Sequence, residues 1–269
     1  MKKMVFLSDI DGTLLKDQVP VDERVIKGAR AFMESGGLFA LCTGRSILSA
    51  RKVAEMFRPN APSILLTGAE IYDFANDKCL WKQPLPDNVW DKMQQVLDDY
   101  PSCGLQVCTE DKIYHLRFND RQRYHGVREE VADPGPYTMA DIKGQPLKLI
   151  LAGDDREETA RAGRELFSEE GYRFAFASPY FGEVVSDKAG KDTALRHISK
   201  MLGIPAEDIL GAGDGMTDLP MLQAAGYSFA PSTSPKELLE ACHAVIPPAT
   251  EGGMAVAFEK AMQMMNEEV

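Results

Sequence analysis

The amino-acid sequence predicts an α/β fold in which helices flank a parallel β-sheet and a second, α+β unit is inserted. Apolar runs of strand length alternate with helical patterns at both ends of the 269-residue chain. This alternation is typical of parallel sheets with crossover helices. The order changes between residues 83 and 187, where strands follow one another directly. We therefore expect two domains, one of them interrupted by the other.

The first part of the parallel unit begins with an apolar run at residues 4–7, which is typical of a strand buried on both faces. Apolar side chains at helical spacing follow, and Gly36-Gly37 is expected to end that helix. The predicted elements are strand 4–7, helix 21–35, strand 38–42, helix 46–57, strand 63–66 and a small hairpin of 70–73 with 78–81. The β-α-β-α-β rhythm predicts that the first three strands share one parallel sheet.

The insert follows Gln83-Pro84-Leu85-Pro86, which interrupts the rhythm. Its predicted elements are helix 87–100, strands 105–109 and 113–118, a short helix, strand 147–152, helix 156–171 and strands 173–177 and 182–185. We expect residues 83–187 to form an α+β domain of their own.

The parallel rhythm resumes at residue 188. The predicted elements are helix 192–202, strand 209–212, helix 219–225, strand 227–230, helix 235–241, strand 244–246 and helix 254–266. Residues 1–82 and 188–269 are therefore expected to form one discontinuous core domain.

Composition excludes several classes of protein. The net charge of −11 argues against bulk electrostatic binding to nucleic acid or to an anionic membrane. The sequence has no apolar stretch of membrane-spanning length, and Ser8-Asp9 cuts short the run behind Met1-Lys2-Lys3. The five cysteines are odd in number and form no CxxC pair, which favours reduced thiols. We expect a soluble cytoplasmic protein, monomeric or weakly homo-oligomeric.

Two acidic loops follow predicted strands. Asp9 and Asp11 come after strand 4–7, and residues 213–218 follow strand 209–212. Open α/β sheets bind ligands beyond the carboxyl ends of their strands, so loops from adjacent strands are expected to converge. A turn with capping aspartates would explain either loop alone, but not both together. The GxGxG spacing does not fit a dinucleotide fingerprint, and Leu14 stands where an EF-hand needs glycine.

Four segments in order resemble the motifs of the haloacid dehalogenase superfamily, and in particular its Cof-type, subfamily IIB sugar-phosphate phosphatases. They are Asp9-Ile10-Asp11-Gly12-Thr13, Leu41-Cys42-Thr43-Gly44-Arg45, Lys191 at a helix start, and Gly213-Asp214-Gly215-Met216-Thr217-Asp218. The position and length of the insert also resemble the cap of that branch, so the resemblance covers nearly the whole chain. It implies a Rossmann-like core, a mobile cap of C2 type and Mg²⁺-dependent hydrolysis of phosphomonoesters.

The chemistry of phosphoester hydrolysis, considered beside the resemblance, predicts different roles for Asp9 and Asp11. Asp9 is the expected nucleophile, because an aspartyl-phosphate splits one difficult step into two. Asp11 is expected to protonate the leaving oxygen and then to deprotonate the attacking water. Thr43 can donate its hydroxyl to a phosphoryl oxygen, and Lys191 can place a positive charge on the transferring group, with Lys188 as its rival.

Four acids beside an anionic phosphate require a cation. Mg²⁺ prefers a few carboxylates with phosphate oxygens and water. Its expected protein ligands are Asp9, Asp11 through its backbone carbonyl, Asp214 and, directly or through water, Asp218. The expected substrate-binding residues are Gly12, Thr43, Gly44, Arg45, Lys191, Thr217 and Glu183. A zinc site at Cys103, Cys108 and His115 is not favoured, because the spacing fits no standard pattern.

The insert is locally basic, and substrate selection is expected among its charged residues, which are Arg117, Arg121, Arg123, Arg128, Lys143 and Glu183. Two features depart from the family pattern. Thr217 stands where asparagine is common, and the turn with asparagine after the next strand is replaced by Pro231-Ser232-Thr233-Ser234. Contacts to phosphate or metal-bound water are expected to differ there.

Three functions are compatible with these patterns. The first is a Mg²⁺-dependent phosphatase of small phosphorylated metabolites, with sugar or sugar-alcohol phosphates as the expected substrates. The second is a phosphomutase that uses the same aspartyl-phosphate. The third is a non-catalytic receiver-like or sugar-phosphate-binding module, although receiver domains are about half this length and contain no cap-sized insert.

Overall fold

The structure is a computed structural model that describes residues 2–16, 19–123 and 135–267. It contains two compact units, which are described one at a time. The first comprises Met1–Gly44, Arg51–Leu80 and Lys191–Val269, and the second comprises Arg45–Ala50 and Trp81–Gly190.

The strands are numbered in chain order. They are β1 (Val5–Ser8), β2 (Leu38–Leu41), β3 (Ser63–Leu65), β4 (Glu70–Asp73), β5 (Lys78–Lys82), β6 (Gly104–Cys108), β7 (Ile113–Arg117), β8 (Lys148–Ala152), β9 (Tyr172–Ser178), β10 (Phe181–Ser186), β11 (Ile209–Ala212), β12 (Tyr227–Pro231) and β13 (Ala244–Ile246). The helices are α1 (Glu23–Glu34), α2 (Ile47–Phe57), α3 (Val89–Asp99), α4 (Arg156–Phe167), α5 (Lys191–Leu202), α6 (Leu219–Ala224), α7 (Lys236–Ala241) and α8 (Gly253–Asn266). Residues 120–123 are also helical.

The first unit is built on a five-stranded parallel sheet in the order β13-β12-β11-β1-β2. All four residues of β1 are buried, as a central strand covered on both faces requires. Its register pairs Ser8 with Ala212 of β11 and with Leu41 of β2. The carboxyl ends of these three strands therefore lie at the same edge of the sheet.

Helices cover both faces of this sheet. On one face the Phe6 ring lies 5.9 Å from Phe32 of α1 and 4.9 Å from Phe258 of α8, measured between ring centroids. On the other face α6 approaches the sheet at Gly211, where a Cβ atom would lie 3.3 Å from Leu222. The predicted α/β class, with a parallel sheet flanked by helices, is confirmed.

The third predicted parallel strand is different. β3 makes only an isolated parallel bridge to this sheet, between Ile64 and Cys42, and its ladder is antiparallel to β4. Side chains replace the missing ladder: the Phe39 amide donates to Asn60 Oδ1 at 2.7 Å, and the Leu41 amide donates to Ser63 Oγ at 3.1 Å. β3 therefore lies parallel beside the end of β2, as predicted, but it makes one bridge there and not a full ladder. The predicted hairpin instead belongs to a small β3-β4-β5 sheet.

The second unit contains a five-stranded antiparallel sheet in the order β7-β6-β8-β10-β9. Side chains of α3 and α4 pack with the sheet in one core, which includes Met93, Val96, Leu149 and Leu166. The α+β character predicted for the insert is present here. No helix within the described ranges is long and apolar enough to cross a membrane.

Candidate active site

Asp9 is the first residue after β1, and its position is fixed by the sheet. Its amide donates to the carbonyl of Ala212 at 2.8 Å, which continues the pairing of β1 with β11 by one residue. The chain then turns tightly, because the Ile10 carbonyl accepts from the amides of Leu14 and Leu15, each at 3.0 Å. Ile10 and Leu14 are fully buried and anchor the turn. The Asp9 carboxyl is consequently held at the carboxyl edge of the sheet.

The loop after β11 holds two further acids. The Asp218 amide donates to the Gly215 carbonyl at 2.9 Å, and the Gly215 amide donates to Asp218 Oδ2 at 3.0 Å. Asp214 accepts a hydrogen bond from the Thr13 hydroxyl at 3.2 Å. This last bond joins the two acidic loops directly.

The two loops converge, as the adjacency of β1 and β11 requires. Asp9, Asp214 and Asp218 each place a carboxylate oxygen within 4.8 Å of the others. Lys191, the first residue of α5, lies among them with only 3% of its surface exposed. Its Nζ donates to Asp9 Oδ1 at 2.8 Å and to Asp218 Oδ1 at 2.5 Å.

The electrostatics of this cluster are dominated by burial and by repulsion among the acids. Burial raises the pKa of the Asp9 carboxyl well above its usual range, and Asp218 raises it further, while Lys191 opposes both effects. Burial, with repulsion from Asp218, raises the pKa of Asp214 to about 6. Burial alone would lower the pKa of Lys191, but the attraction of Asp218 and Asp9 outweighs it, and this pKa is well above normal.

The donor set fits a hard divalent cation such as Mg²⁺. Oxygen atoms of three carboxylates lie within 4.8 Å of one another, and carboxylate oxygens are ligands that Mg²⁺ prefers. Lys191 pairs with two of these acids and contributes one positive charge to the group. Asp11, the fourth predicted ligand, lies half-buried in the Asp9 turn, and its side chain is outside this three-carboxylate group. Its predicted contribution through the backbone carbonyl is not affected by this.

Gly12 lets the second acidic loop approach the first. Its φ is +84°, and a Cβ atom added there would lie 2.1 Å from Asp214 Oδ2. Gly213 plays a similar part, because its Cβ would lie 2.4 Å from the Cβ of Asp218. Both glycines allow the carboxylates to lie against the backbone.

We expect Gly12→Ala to lower kcat/KM by about 100-fold, because the methyl group must displace the Asp214 carboxylate. The measurement is the steady-state kcat/KM of each variant under identical conditions. Gly36→Ala is the matched control, since Gly36 has a φ of +91° but no atom within 4 Å of the added Cβ. It should cost about 1–2 kcal/mol of stability and leave kcat/KM unchanged. Equal kinetic losses in both variants would contradict the steric explanation.

Thr43 is buried directly after β2 and Cys42. Its amide donates to the Ile64 carbonyl at 2.9 Å, and its carbonyl accepts from the Thr67 amide at 3.1 Å. The next residue, Gly44, is half-buried. The backbone of Thr43 is therefore held on both sides.

The remaining predicted substrate-binding residues are Thr217, Arg45 and Glu183. Thr217 is half-buried in the loop after β11. Arg45 and Glu183 belong to the second unit, where an Arg45 guanidinium nitrogen donates to the Ser49 carbonyl at 3.2 Å and Glu183 accepts from the buried Lys148 at 2.6 Å. Their roles toward substrate stay predictions. Lys188, the rival of Lys191, is exposed.

The basic residues of the insert are largely engaged in structural contacts. Arg117 donates to the carbonyls at the carboxyl end of α3, including those of Tyr100 at 2.6 Å and Val96 at 3.3 Å. Arg121 pairs with Asp154 at 2.5 Å. Lys143 lines a small cavity of about 270 Å³. Arg128 lies outside the described residues.

Two residues with a part in the site received no role from the sequence. Thr13 holds Asp214, and Gly213 makes room for Asp218. Thr13 belongs to the acidic segment Asp9–Thr13, which indicates that it lies near the site. Nothing in that segment indicates which distant acid its hydroxyl contacts.

Comparison with known proteins identifies the family. The family model described as haloacid dehalogenase-like hydrolase matches residues 6–258. An uncharacterised hydrolase of Schizosaccharomyces pombe is 26% identical over 90% of this chain and 84% of its own. A 5-amino-6-(5-phospho-D-ribitylamino)uracil phosphatase of Bacillus subtilis is 23% identical over 93% of this chain and 92% of its own.

Solved structures agree at the level of the fold. A haloacid dehalogenase-like hydrolase from Bacteroides thetaiotaomicron superposes with a TM-score of 0.87 at 20% identity, covering 96% of this chain and 99% of the other. A protein described as a subclass IIB sugar phosphatase superposes with a TM-score of 0.82 at 18% identity, covering 96% and 98%. The chain belongs to the haloacid dehalogenase-like hydrolase family. The predicted family and the prediction of a hydrolytic enzyme are confirmed.

Proposed function

We propose that this protein is a Mg²⁺-dependent phosphomonoester hydrolase of small phosphorylated metabolites, with sugar phosphates as the principal substrates. The observation that carries the proposal is the position of Asp9, which follows the inner strand β1 and shares Lys191 with Asp218. A carboxylate fixed beside a buried cation is suited to attack an anionic phosphoryl group. The names of two similar proteins, a phosphatase of a phosphoribityl compound and a sugar phosphatase, support the substrate class.

In the first half-reaction an Asp9 carboxylate oxygen attacks phosphorus. The new O–P bond forms as the bond from phosphorus to the ester oxygen breaks, which leaves an aspartyl-phosphate. Asp11 gives its proton to the departing oxygen, so the product leaves as an alcohol. Lys191 neutralises charge on the transferring group, and the Thr43 hydroxyl donates to one of its oxygens.

In the second half-reaction Asp11, now a carboxylate, takes a proton from water as that water attacks phosphorus. The bond between phosphorus and Asp9 breaks, and inorganic phosphate leaves. Asp9 returns as a carboxylate and Asp11 as an acid, so atoms and protons balance over the cycle.

Asp9, Asp214, Asp218 and the Asp11 backbone carbonyl would hold Mg²⁺ in this scheme. When bound, the ion neutralises negative charge on the phosphoryl group and on the acids around it. Thr13 orients Asp214 through its hydroxyl, and the Gly215 amide orients Asp218. These two hydrogen bonds orient the carboxylates of Asp214 and Asp218 before substrate binds.

We also assign core and cap roles to residues 1–82 with 188–269 and to residues 83–187. Support comes from the two compact units, which change at Leu80/Trp81 and at Gly190/Lys191, although Arg45–Ala50 is also grouped with the second unit. The assigned phosphate-binding residues are Gly12, Thr43, Gly44, Arg45, Lys191 and Thr217. Glu183 is assigned to substrate selection, and its contact with the buried Lys148 would fix its orientation. None of the five cysteines forms a disulfide, which supports a cytoplasmic location.

The test is turnover of a panel of phosphorylated sugars, nucleotides and cofactors. We expect release of inorganic phosphate with Mg²⁺, loss of at least about 100-fold in kcat with EDTA, and recovery when Mg²⁺ is added back. Formation of an isomeric phosphate without release of phosphate would indicate a mutase instead. Binding of sugar phosphates without turnover of any ester would indicate the non-catalytic alternative.

A further inference from the structure

A strained turn lies between β3 and β4. Leu66, Thr67 and Gly68 follow one another with φ values of 49°, 59° and 93°. Only glycine adopts this left-handed region readily, and a β-branched residue such as threonine is a marked outlier there. Two strained non-glycine residues in succession persist only where the surrounding structure requires them, and such residues cluster at functional sites.

The turn is tied to the main chain of Thr43. The Thr67 amide donates to the Thr43 carbonyl at 3.1 Å, and two residues before the turn the Ile64 carbonyl accepts from the Thr43 amide at 2.9 Å. Ile64 is also bridged to Cys42. The segment 64–67 therefore brackets the peptide groups on both sides of the Thr43 side chain.

The same turn packs against α5, the helix that begins with Lys191. Leu66 is fully buried there, with 1% of its surface exposed. Thr43 and Lys191 come from distant parts of the sequence, and segment 64–68 contacts the backbone of the first and the helix of the second. A rigid turn at this point would fix the distance between the two phosphate-binding side chains.

We propose that Leu66–Gly68 is a positioning element of the phosphate site and that it acts through the Thr67 amide on Thr43. The inference rests on the proposed function, because it assigns a role to the Thr43 hydroxyl. The strained backbone holds the turn in one conformation, in which the Thr67 amide donates to the Thr43 carbonyl. Thr67 is a positioning residue here, and it touches no reacting atom in this scheme.

The sharpest test removes one N–H group. Replacing Thr67 by its α-hydroxy acid analogue converts its amide to an ester and keeps the side chain. The matched control is the same replacement at Ala69, whose amide donates to Leu66 at 3.1 Å within the turn and makes no bond to Thr43. With p-nitrophenyl phosphate, we expect the Thr67 ester to lower kcat about tenfold and to raise the Ki of inorganic phosphate about tenfold. The Ala69 ester should change neither by more than about twofold.

A double-mutant cycle shows whether the effect passes through Thr43. In a Thr43→Val background, the Thr67 ester should cause no further loss of kcat/KM. The same loss in both backgrounds, or equal losses in the Thr67 and Ala69 esters, would overturn the proposal.

If the Thr67 ester does not fold, Thr67→Gly tests the rigidity of the turn, because glycine keeps the amide and removes the strain. We then expect kcat to fall three- to tenfold with a Tm no lower than that of the wild type, and an unchanged kcat would overturn the proposal.

Turnover by the wild-type protein distinguishes failure of this inference from failure of the proposed function. If the wild type releases no phosphate from any ester in the presence of Mg²⁺, the proposed function fails. If the wild type turns over and the Thr67 variants behave as their controls do, only the positioning role fails.

Discussion

Asp9→Asn should abolish turnover, with kcat lowered on the order of 10⁴-fold or more. The side-chain amide cannot attack phosphorus, so no aspartyl-phosphate forms. Folding should be intact, because the substitution keeps the backbone amide that pairs with Ala212 and removes one charge from a crowded acidic cluster. The measurements are steady-state turnover with Mg²⁺ and thermal unfolding. Substantial residual hydrolysis by a pure preparation would exclude Asp9 as the nucleophile.

Asp11→Asn distinguishes the nucleophile from the acid and base. With p-nitrophenyl phosphate the leaving group needs little help from an acid, so the first step should survive while the second is slowed. We expect a burst of p-nitrophenol approaching one equivalent per enzyme, and a phosphorylated protein that mass spectrometry detects. Asp9→Asn should give no burst. A burst from Asp9→Asn would mean that another residue is phosphorylated.

Lys191→Met should have the second large effect, on catalysis and on stability together. In the proposed mechanism Lys191 neutralises charge on the transferring phosphoryl group, so its loss should lower kcat/KM about 10³-fold. Asp9 and Asp218 would also lose their shared partner inside the protein. Breaking a buried ion pair from one side costs about 3–5 kcal/mol, so the metal-free variant should unfold at a clearly lower temperature. In the proposed scheme Mg²⁺ binds the same carboxylates, so added Mg²⁺ should restore part of that stability.

Lys188→Met is the control for this change. Lys188 is exposed and close in sequence, and its replacement should alter neither kcat/KM nor the Tm. The measurements are denaturant unfolding with and without Mg²⁺ and kinetics at saturating Mg²⁺. If Lys188→Met caused the larger kinetic loss, the phosphate partner would have been assigned to the wrong lysine.

Local patterns were enough to predict most of the elements. The apolar run at Val5–Ser8 predicts a strand buried on both faces, and the helical spacing that ends at Gly36 predicts a helix. Neither prediction needs information about distant residues. The convergence of Asp9 with Asp214 could also be predicted, because the carboxyl ends of adjacent parallel strands lie at the same edge of the sheet. These inferences depend on short-range periodicity and on general rules of sheet topology.

Other features depend on contacts that short segments do not encode. The sequence of β3 is compatible with a parallel strand, but Asn60 and Ser63 side chains take the amides of β2 that a full ladder would use. Gly12 reads as a turn residue, whereas its closest constraint is the Asp214 carboxylate from the far end of the chain. Arg117 reads as a surface cation, but its guanidinium binds the last carbonyls of α3.

The strand order also has a consequence for biosynthesis. β1 is made before both of its neighbours, and one of them is β11. Lys191, Asp214 and Asp218 also follow β1 by more than 180 residues. On the ribosome, β1 therefore keeps one edge unpaired while Trp81–Gly190, a nearly continuous unit, can fold ahead of it. An unpaired apolar strand is prone to aggregate, so the nascent chain is most in need of chaperones before residue 212 emerges. The proposed site is therefore incomplete until Asp218 has been synthesised.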